Sequence, residues 1–270
     1  MLHISLAAET IGHIGPLPVT NSLLTTWGVM IFLVFLSVIS TKKMSIVPGH
    51  IQSIAEIILE GLYSFFSSVV GHHARMIFPL VASLFLFIIV SNWSGLLPGV
   101  GTIGFHEPVV DNKIVMNNDT HAEELSVPTI HEETTKPIQE TKFVPLLRGP
   151  TADLNMTIAL ALLAVIAMQY FGFKTLGGKY SRRFINFHNP ILGFVGFLEI
   201  ISDMSKVVSF AFRLFGNIFA GEVLLAVMAF LMPFIAPMPF LMLELFVGFI
   251  QALVFSTLTS VFVNVALAHE

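Results

Sequence analysis

The sequence predicts an all-α integral membrane protein with five transmembrane segments and one amphipathic helix at the membrane interface. Of its 270 residues, 55% are hydrophobic and only 11% are charged, whereas soluble domains contain about 25% charged residues. Several apolar stretches reach the length of about 20 residues that a helix needs to cross the hydrocarbon core. The last two apolar stretches are much longer, and we expect them to form long, strongly tilted helices.

The first transmembrane segment is predicted at 23–39, where an apolar run ends just before Lys42 and Lys43. Residues 1–22 lack the basic start and the cleavage pattern of a signal peptide. We interpret them as a retained N-terminal segment that lies outside the membrane.

The next segment, 51–71, is amphipathic, with apolar residues at helical spacing and glutamates on another face. Such a helix is expected to lie at the membrane interface. Two further runs, 77–97 and 153–173, are long enough to span the bilayer and form the second and third transmembrane segments.

Between those two spans, residues 98–149 form a polar, net acidic insertion outside the membrane. Its composition favours a loosely structured loop or a small surface element, and a short helix or hairpin within it stays open. We assign no function to it.

The last two segments are predicted at 190–232 and 238–268, with Pro233, Pro237 and Pro239 in or beside the turn between them. A helix over the first range would be about 60 Å long, twice the hydrocarbon thickness. It must therefore tilt, kink or extend out of the bilayer. We treat residues 1–270 as a single membrane domain.

The orientation follows from the basic residues, which fall on one side of the membrane if the five segments alternate. By the positive-inside rule that side is cytoplasmic, so the N-terminus is outside and the C-terminus is cytoplasmic. The residues on that side are Lys42, Lys43, Arg75, Lys174, Lys179, Arg182 and Arg183.

Other classes of function are disfavoured by composition. The chain has no cysteine and therefore no thiolate metal site, and histidines such as His72 and His73 lack ligand spacing and are expected at the interface. Lysines and arginines form no run that could neutralise a row of phosphates. We expect no metal, no cofactor and no nucleic acid.

Six charged residues lie within the last two apolar segments, where each ionised side chain costs roughly 2.5–3.5 kcal/mol at mid-bilayer. Residues near helix ends could reach water, but Arg213 and Glu222 lie deeper in the apolar run. Arginine, moreover, cannot lose its proton to avoid the cost of burial. The six are Glu199, Asp203, Lys206, Arg213, Glu222 and Glu244.

A stripe of polar and small residues follows one face of the predicted 190–232 helix at intervals of three and four. Small residues allow another helix to approach closely, so the stripe could present Arg213 to a partner helix. Ordinary packing within the chain is the alternative. The stripe contains Glu199, Ser202, Lys206, Ser209, Arg213, Gly216 and Ala220.

Glu222 falls on the opposite side of that helix from the arginine. On the last helix Glu244, Gly248 and Gln251 share a face, which could meet Glu222 in a buried polar pocket. Two carboxyls there could relay protons, and a purely structural hydrogen-bonded cluster is the alternative. Asn217, one turn after Arg213, is compatible with a proton relay and with a structural cluster.

Four segments of the chain resemble, in order, those of the a subunit of F-type ATP synthases. They are VPGHIQSIAEIILE (47–60), VSNWSGLLPG (90–99), RGPTADLNMTIALAL (148–162) and SFAFRLFGNIFAGE (209–222). The resemblance implies a stationary, non-catalytic subunit beside a rotating ring of c subunits, with two offset half-channels that let proton flow drive rotation. It also implies b-type peripheral stalk subunits, the remainder of the complex, the lipid bilayer and protons as partners.

The same resemblance implies roles for particular residues. Arg213 matches the family's essential arginine, which faces the ring carboxylate. The inner path would include Glu199, Ser202, Asp203 and Ser209. The outer path would include Asn217, Glu222, Glu244 and Gln251, with Asp153 and Asn21 at its entrance.

Two departures from the family pattern bear on these roles. Many relatives carry histidine at a position matching Glu222 or Glu244, and Val207 replaces a common proline near the inner exit. A secondary transporter would instead predict inverted repeats, and none is evident between the halves. A structural membrane anchor remains the other alternative. We expect the chain in an energy-coupling membrane, the bacterial inner membrane.

Overall fold

The computed structural model describes residues 8–15, 17–42, 49–101, 103–108, 141–181, 190–232 and 235–267. Within these ranges the chain is almost entirely helical. The α-helices are α1 (Asn21–Thr41), α2 (His50–Val70), α3 (Ala74–Ser94), α4 (Leu154–Leu176), α5 (Gly178–Ser181), α6 (Pro190–Leu231) and α7 (Pro237–Leu267).

In the described part of the chain, five helical segments are long and apolar enough to cross a membrane, which confirms the predicted all-α membrane fold. One of them joins α2 and α3 into the range His50–Ser94, which is interrupted at Gly71. Gly71 has a φ of +69°, in the left-handed region that glycine adopts at little cost. The glycine therefore ends α2, and a short 3-10 turn, Gly71–His73, leads into α3.

Among the described residues, helix α1 is buried along its first turns, from Asn21 to Val29. Thr20 caps it, because its hydroxyl accepts a hydrogen bond from the Leu23 amide at 3.3 Å. Asn21 and Ser22 are buried, whereas Ile31 is 70% exposed. The polar start of α1 therefore faces the protein, and its apolar remainder is left to contact lipid.

The core lies where α3, α4, α6 and α7 pack together. Its centre includes Ile88 of α3, Ala161 of α4, Leu214 of α6 and Val263 of α7, all fully buried. This packing fixes the rotation of α6, because the face that carries Leu214 is turned inward. The opposite face carries exposed residues such as Phe212.

Two antiparallel hairpins flank the helices. Strands β1 (Thr10–Ile14) and β2 (Leu17–Thr20) precede α1, and β3 (Gly104–Pro108) pairs with β4 (Thr141–Pro145). The second pair joins residues near the two ends of the predicted acidic insertion, 98–149.

Several residues used in the sequence predictions lie outside the described residues. They include the N-terminal residues 1–7, the central part of the insertion at 109–140, Lys43, Arg182, Arg183, Pro233 and the C-terminal residues 268–270. The side chain of Lys179 is likewise outside the described part.

Candidate functional site

Arg213 lies on the exposed face of α6, near the middle of the helix. The next residue, Leu214, is fully buried in the core, so the packing of α6 directs the arginine outward. Ser209, Gly216 and Ala220 are exposed as well. Three small residues of the predicted stripe therefore share the exposed face with Arg213, beside the exposed Phe212, and the described residues include no ion pair with it.

Polar residues lie on both sides of Arg213 along α6. Asp203 precedes the arginine by ten residues and Glu222 follows it by nine, which places each about 14 Å away along the helix. Together they span about 28 Å, close to the thickness of the hydrocarbon core. The helix therefore separates two polar regions by a permanently charged residue.

The region after Arg213 contains a hydrogen bond between α6 and α7. Asn217 Nδ2 donates to Gln251 Oε1 at 2.7 Å, and Gln251 is only 4% exposed. Nε2 of Gln251 has no hydrogen-bond partner among the described residues. The two amides predicted to belong to one path are therefore in direct contact.

Glu244 is buried against the backbone of α6 at Gly221. A Cβ at Gly221 would overlap the Glu244 carboxyl group, so the missing side chain provides the space that this carboxyl occupies. Oε1 of Glu244 has no partner among the described residues. The structure thus places an incompletely satisfied acid in the interior, which is the kind of group that can exchange a proton.

Glu222 differs from its prediction in one respect. The sequence suggested that it could meet Glu244 in a buried pocket, but its side chain is 43% exposed and forms an ion pair with Arg148 at 3.2 Å. The reason is helical geometry, because adjacent residues are rotated by 100°. Gly221 faces Glu244, and the Glu222 side chain turns toward the segment before α4.

Arg148 was not among the predicted site residues. It is 5% exposed and donates from Nη2 to Glu222 Oε2. The sequence did offer one signal, since Arg148 begins the segment RGPTADLN, which carries part of the family resemblance. Periodicity could not reveal its partner, which lies 74 residues away.

The two residues predicted at the outer entrance lie close together at the start of α1 and α4. Ser22 Oγ donates to Asp153 Oδ2 at 2.6 Å, and the adjacent Asn21 donates from Nδ2 to the Pro145 carbonyl at 3.2 Å. Asp153 also caps α4 through the amide of Asn155. All three residues, Asn21, Ser22 and Asp153, are buried, so this polar cluster is enclosed by the protein.

The residues predicted on the inner path divide into two groups. Asp203 points into the protein, where Oδ1 accepts from Lys206 Nζ and Oδ2 accepts from Gln169 Nε2, both at 2.6 Å. The Tyr180 hydroxyl donates to Gln169 Oε1 at 2.8 Å. Gln169 and Tyr180 had not been predicted as site residues.

The second group of inner-path residues lies on the exposed face of α6, the face that also carries Arg213. Ser202 and Ser209 are exposed and line a shallow groove together with Ser205 and Lys206. Glu199, one turn earlier, is half-buried. The inner residues therefore do not form one cluster, since Asp203 is part of a buried network and the serines border an open surface.

In the described ranges, no three histidine, aspartate or glutamate side chains are grouped so that they could hold a metal ion. The arrangement instead defines a class of protein. It is a multi-pass membrane protein whose longest helix separates two polar regions at an exposed arginine, as expected of an ion-conducting subunit.

Comparison with known proteins gives the family. The family described as ATP synthase A chain matches residues 23–264. ATP synthase subunit a of Gloeobacter violaceus is 34% identical over 94% of this chain and 87% of its own length. The subunit a of Citrifermentans bemidjiense is 31% identical over 92% of this chain and 88% of its own length.

The chain therefore belongs to the ATP synthase A chain family. This confirms the resemblance found in the sequence. Its role is that of the non-catalytic proton-channel subunit in the membrane sector of the ATP synthase.

Proposed function

We propose that Arg213 is the fixed charge past which the carboxylates of a rotating c-subunit ring travel. The observation that carries this proposal is the exposure of Arg213 on the outer face of α6, among small side chains. Small residues permit a neighbouring helix to approach closely in a membrane. A ring helix on this face could therefore bring its carboxylate to the guanidinium.

The polar residues on the two sides of Arg213, most of them on α6 and α7, then serve as two offset half-channels. The outer one contains Asn217, Glu222, Glu244 and Gln251, and the cluster of Asn21 and Asp153 forms its entrance. The inner one contains Glu199, Ser202, Asp203 and Ser209. Along α6, Asp203 and Glu222 each lie about 14 Å from Arg213, on opposite sides of it, which supports two paths separated by the arginine.

Arg213 would couple proton flow to rotation by electrostatics. A nearby cation favours the ionised form of a passing ring carboxylate. The same fixed charge opposes a proton that would pass directly between the half-channels. Each proton that crosses 100 mV releases about 2.3 kcal/mol, so several must pass for each ATP.

The partners follow from this role. They are the c-subunit ring, b-type peripheral stalk subunits, the remainder of the complex and the lipid bilayer. The basic residues at one side support a cytoplasmic C-terminus and an external N-terminus. We place the chain in the bacterial inner membrane.

ATP-driven acidification of inverted vesicles tests the proposal. Vesicles carrying the complex with Arg213→Ala are compared with wild type and with Arg75→Ala, which removes an exposed arginine at the start of α3. Assembly of all three is verified first. Loss of pumping in Arg213→Ala alone is the expected result, whereas retained pumping would return Arg213 to a structural role.

A further inference from the structure

We propose that Arg148 is a positioning residue for proton transfer, which holds the Glu222 carboxylate at the outer half-channel. This inference rests on the proposed function and deepens it. The observation behind it is the ion pair from Arg148 Nη2 to Glu222 Oε2 at 3.2 Å. It links the segment before α4 to α6 across 74 residues of sequence.

The burial of Arg148 gives the ion pair its importance. Arg148 is 5% exposed, and its guanidinium stays charged under all physiological conditions. A buried cation requires nearby anionic or hydrogen-bonding groups, because its desolvation is otherwise too costly. Glu222 supplies a carboxylate to this cation while 43% of its own side chain stays accessible.

The backbone around Arg148 is held on both sides. The amide of Gly101 donates to the Leu147 carbonyl at 3.0 Å, and the amide of Ala152 donates to the Gly149 carbonyl at 3.1 Å. Gly149 also packs against Gly95, and a Cβ built on either glycine would lie 3.4 Å from the Cα of the other. Arg148 therefore projects from a fixed base rather than from a free loop.

The charges around Glu222 come from three elements. Arg148 contacts it from the segment before α4, Glu244 of α7 lies against the preceding residue, Gly221, and Arg213 is nine residues earlier on α6 itself. Arg148 is the cation that touches Glu222. This contact holds the ionised carboxylate against the chain, in the position from which it would accept a proton.

The ion pair also explains how the extramembrane hairpin is connected to the proton path. Strand β4 ends at Pro145, whose carbonyl accepts the hydrogen bond from Asn21, and Arg148 follows three residues later. Asn21 and Glu222 are thus both contacted by the same short segment, 145–148. That segment aligns the proposed entrance with the first carboxylate beyond it.

A double-mutant cycle tests the inference. Passive proton flux, driven by a potassium diffusion potential, is measured in vesicles whose complexes have been stripped of the soluble head. The variants are Arg148→Gln, Glu222→Gln and their combination, with Arg148→Lys to retain the charge. Arg75→Gln is the matched control, because it makes the same change at an exposed arginine.

We expect Arg148→Gln to lower the flux per assembled complex about tenfold, a factor that lies within the range of coupling energies between residues in contact. Arg148→Lys should restore most of it, and Arg75→Gln should leave it unchanged. The combined variant should conduct no worse than Glu222→Gln alone. Multiplied losses in the combined variant, or unchanged flux in Arg148→Gln, would overturn the inference.

The same measurements separate this inference from the proposed function. Normal flux in Glu222→Gln would remove Glu222 from the outer half-channel and overturn the role of Arg148, while the role proposed for Arg213 is tested separately by Arg213→Ala. Low flux in Glu222→Gln with normal flux in Arg148→Gln would contradict only the role of Arg148. If Arg148→Gln fails to assemble, Arg148→Lys decides, since near-normal flux supports the charge requirement and a loss as deep as that of Glu222→Gln overturns it.

Discussion

Asn217 and Gln251 join the two long helices through a hydrogen bond of 2.7 Å, one turn beyond Arg213. The contact is unequal, because Gln251 is 4% exposed and Asn217 lies on the accessible face of α6. If Gln251 is removed, the accessible Asn217 side chain can form a hydrogen bond with water or a partner subunit instead. If Asn217 is removed, the buried Gln251 amide has no such substitute partner. The two partners should therefore respond differently to mutation.

Asn217→Ala should destabilise the membrane sector more than Gln251→Leu does. The first change leaves the buried Gln251 oxygen unpaired, which costs about 1–3 kcal/mol. The second removes the buried polar group together with its requirement for a partner. Thermal unfolding of the purified sector measures both, and a larger loss in Gln251→Leu would contradict the assigned burial.

Gly221→Ala should disturb the position of Glu244, because the added Cβ would overlap its carboxyl group. Such overpacking costs about 1–3 kcal/mol, and we expect passive proton flux to fall together with stability. A second change, Glu244→Asp, shortens the acid by one methylene and should recover part of both. Gly28→Ala is the control, since a Cβ there meets nothing within 4 Å. Equal behaviour of Gly221→Ala and Gly28→Ala would refute the close contact.

Asp203→Asn should destabilise the packing of α6 against α4. It removes the carboxylate that pairs with Lys206 at 2.6 Å and leaves a cation whose side chain is only 19% exposed. Loss of such a charged hydrogen bond costs about 1.5–3 kcal/mol.

The double variant Asp203→Asn, Lys206→Gln also removes the unpaired positive charge of Lys206. In a thermal unfolding measurement it should therefore unfold at a higher temperature than Asp203→Asn alone. A double variant less stable than the single would show that Lys206 does not depend on Asp203.

The fold class could be predicted because it depends on apolar length, which one sequence displays fully. The predicted first span, 23–39, lies within the helix Asn21–Thr41. The hairpin of β1 and β2 was not predicted, although Gly15-Pro16 between its strands is a turn signal. Its two strands have five and four residues, too few for alternation to be recognised.

The site could be predicted only where its residues share a helix. Spacing alone placed Arg213 on a stripe with Ser209 and Gly216, and all three lie on the exposed face. It could not identify Gln169 as the partner of Asp203, because they lie 34 residues apart on different helices. Pairings between helices depend on how each helix is rotated, and the core packing sets that rotation.

The outward position of Arg213 also bears on biogenesis. If the chain enters the bilayer before a ring is available, a permanent cation is presented to hydrocarbon at a cost of roughly 2.5–3.5 kcal/mol. Docking on the ring removes that cost by supplying a carboxylate. Newly made chains should therefore survive poorly against membrane proteases until rings have formed, and the order of synthesis would limit the yield of complete complexes.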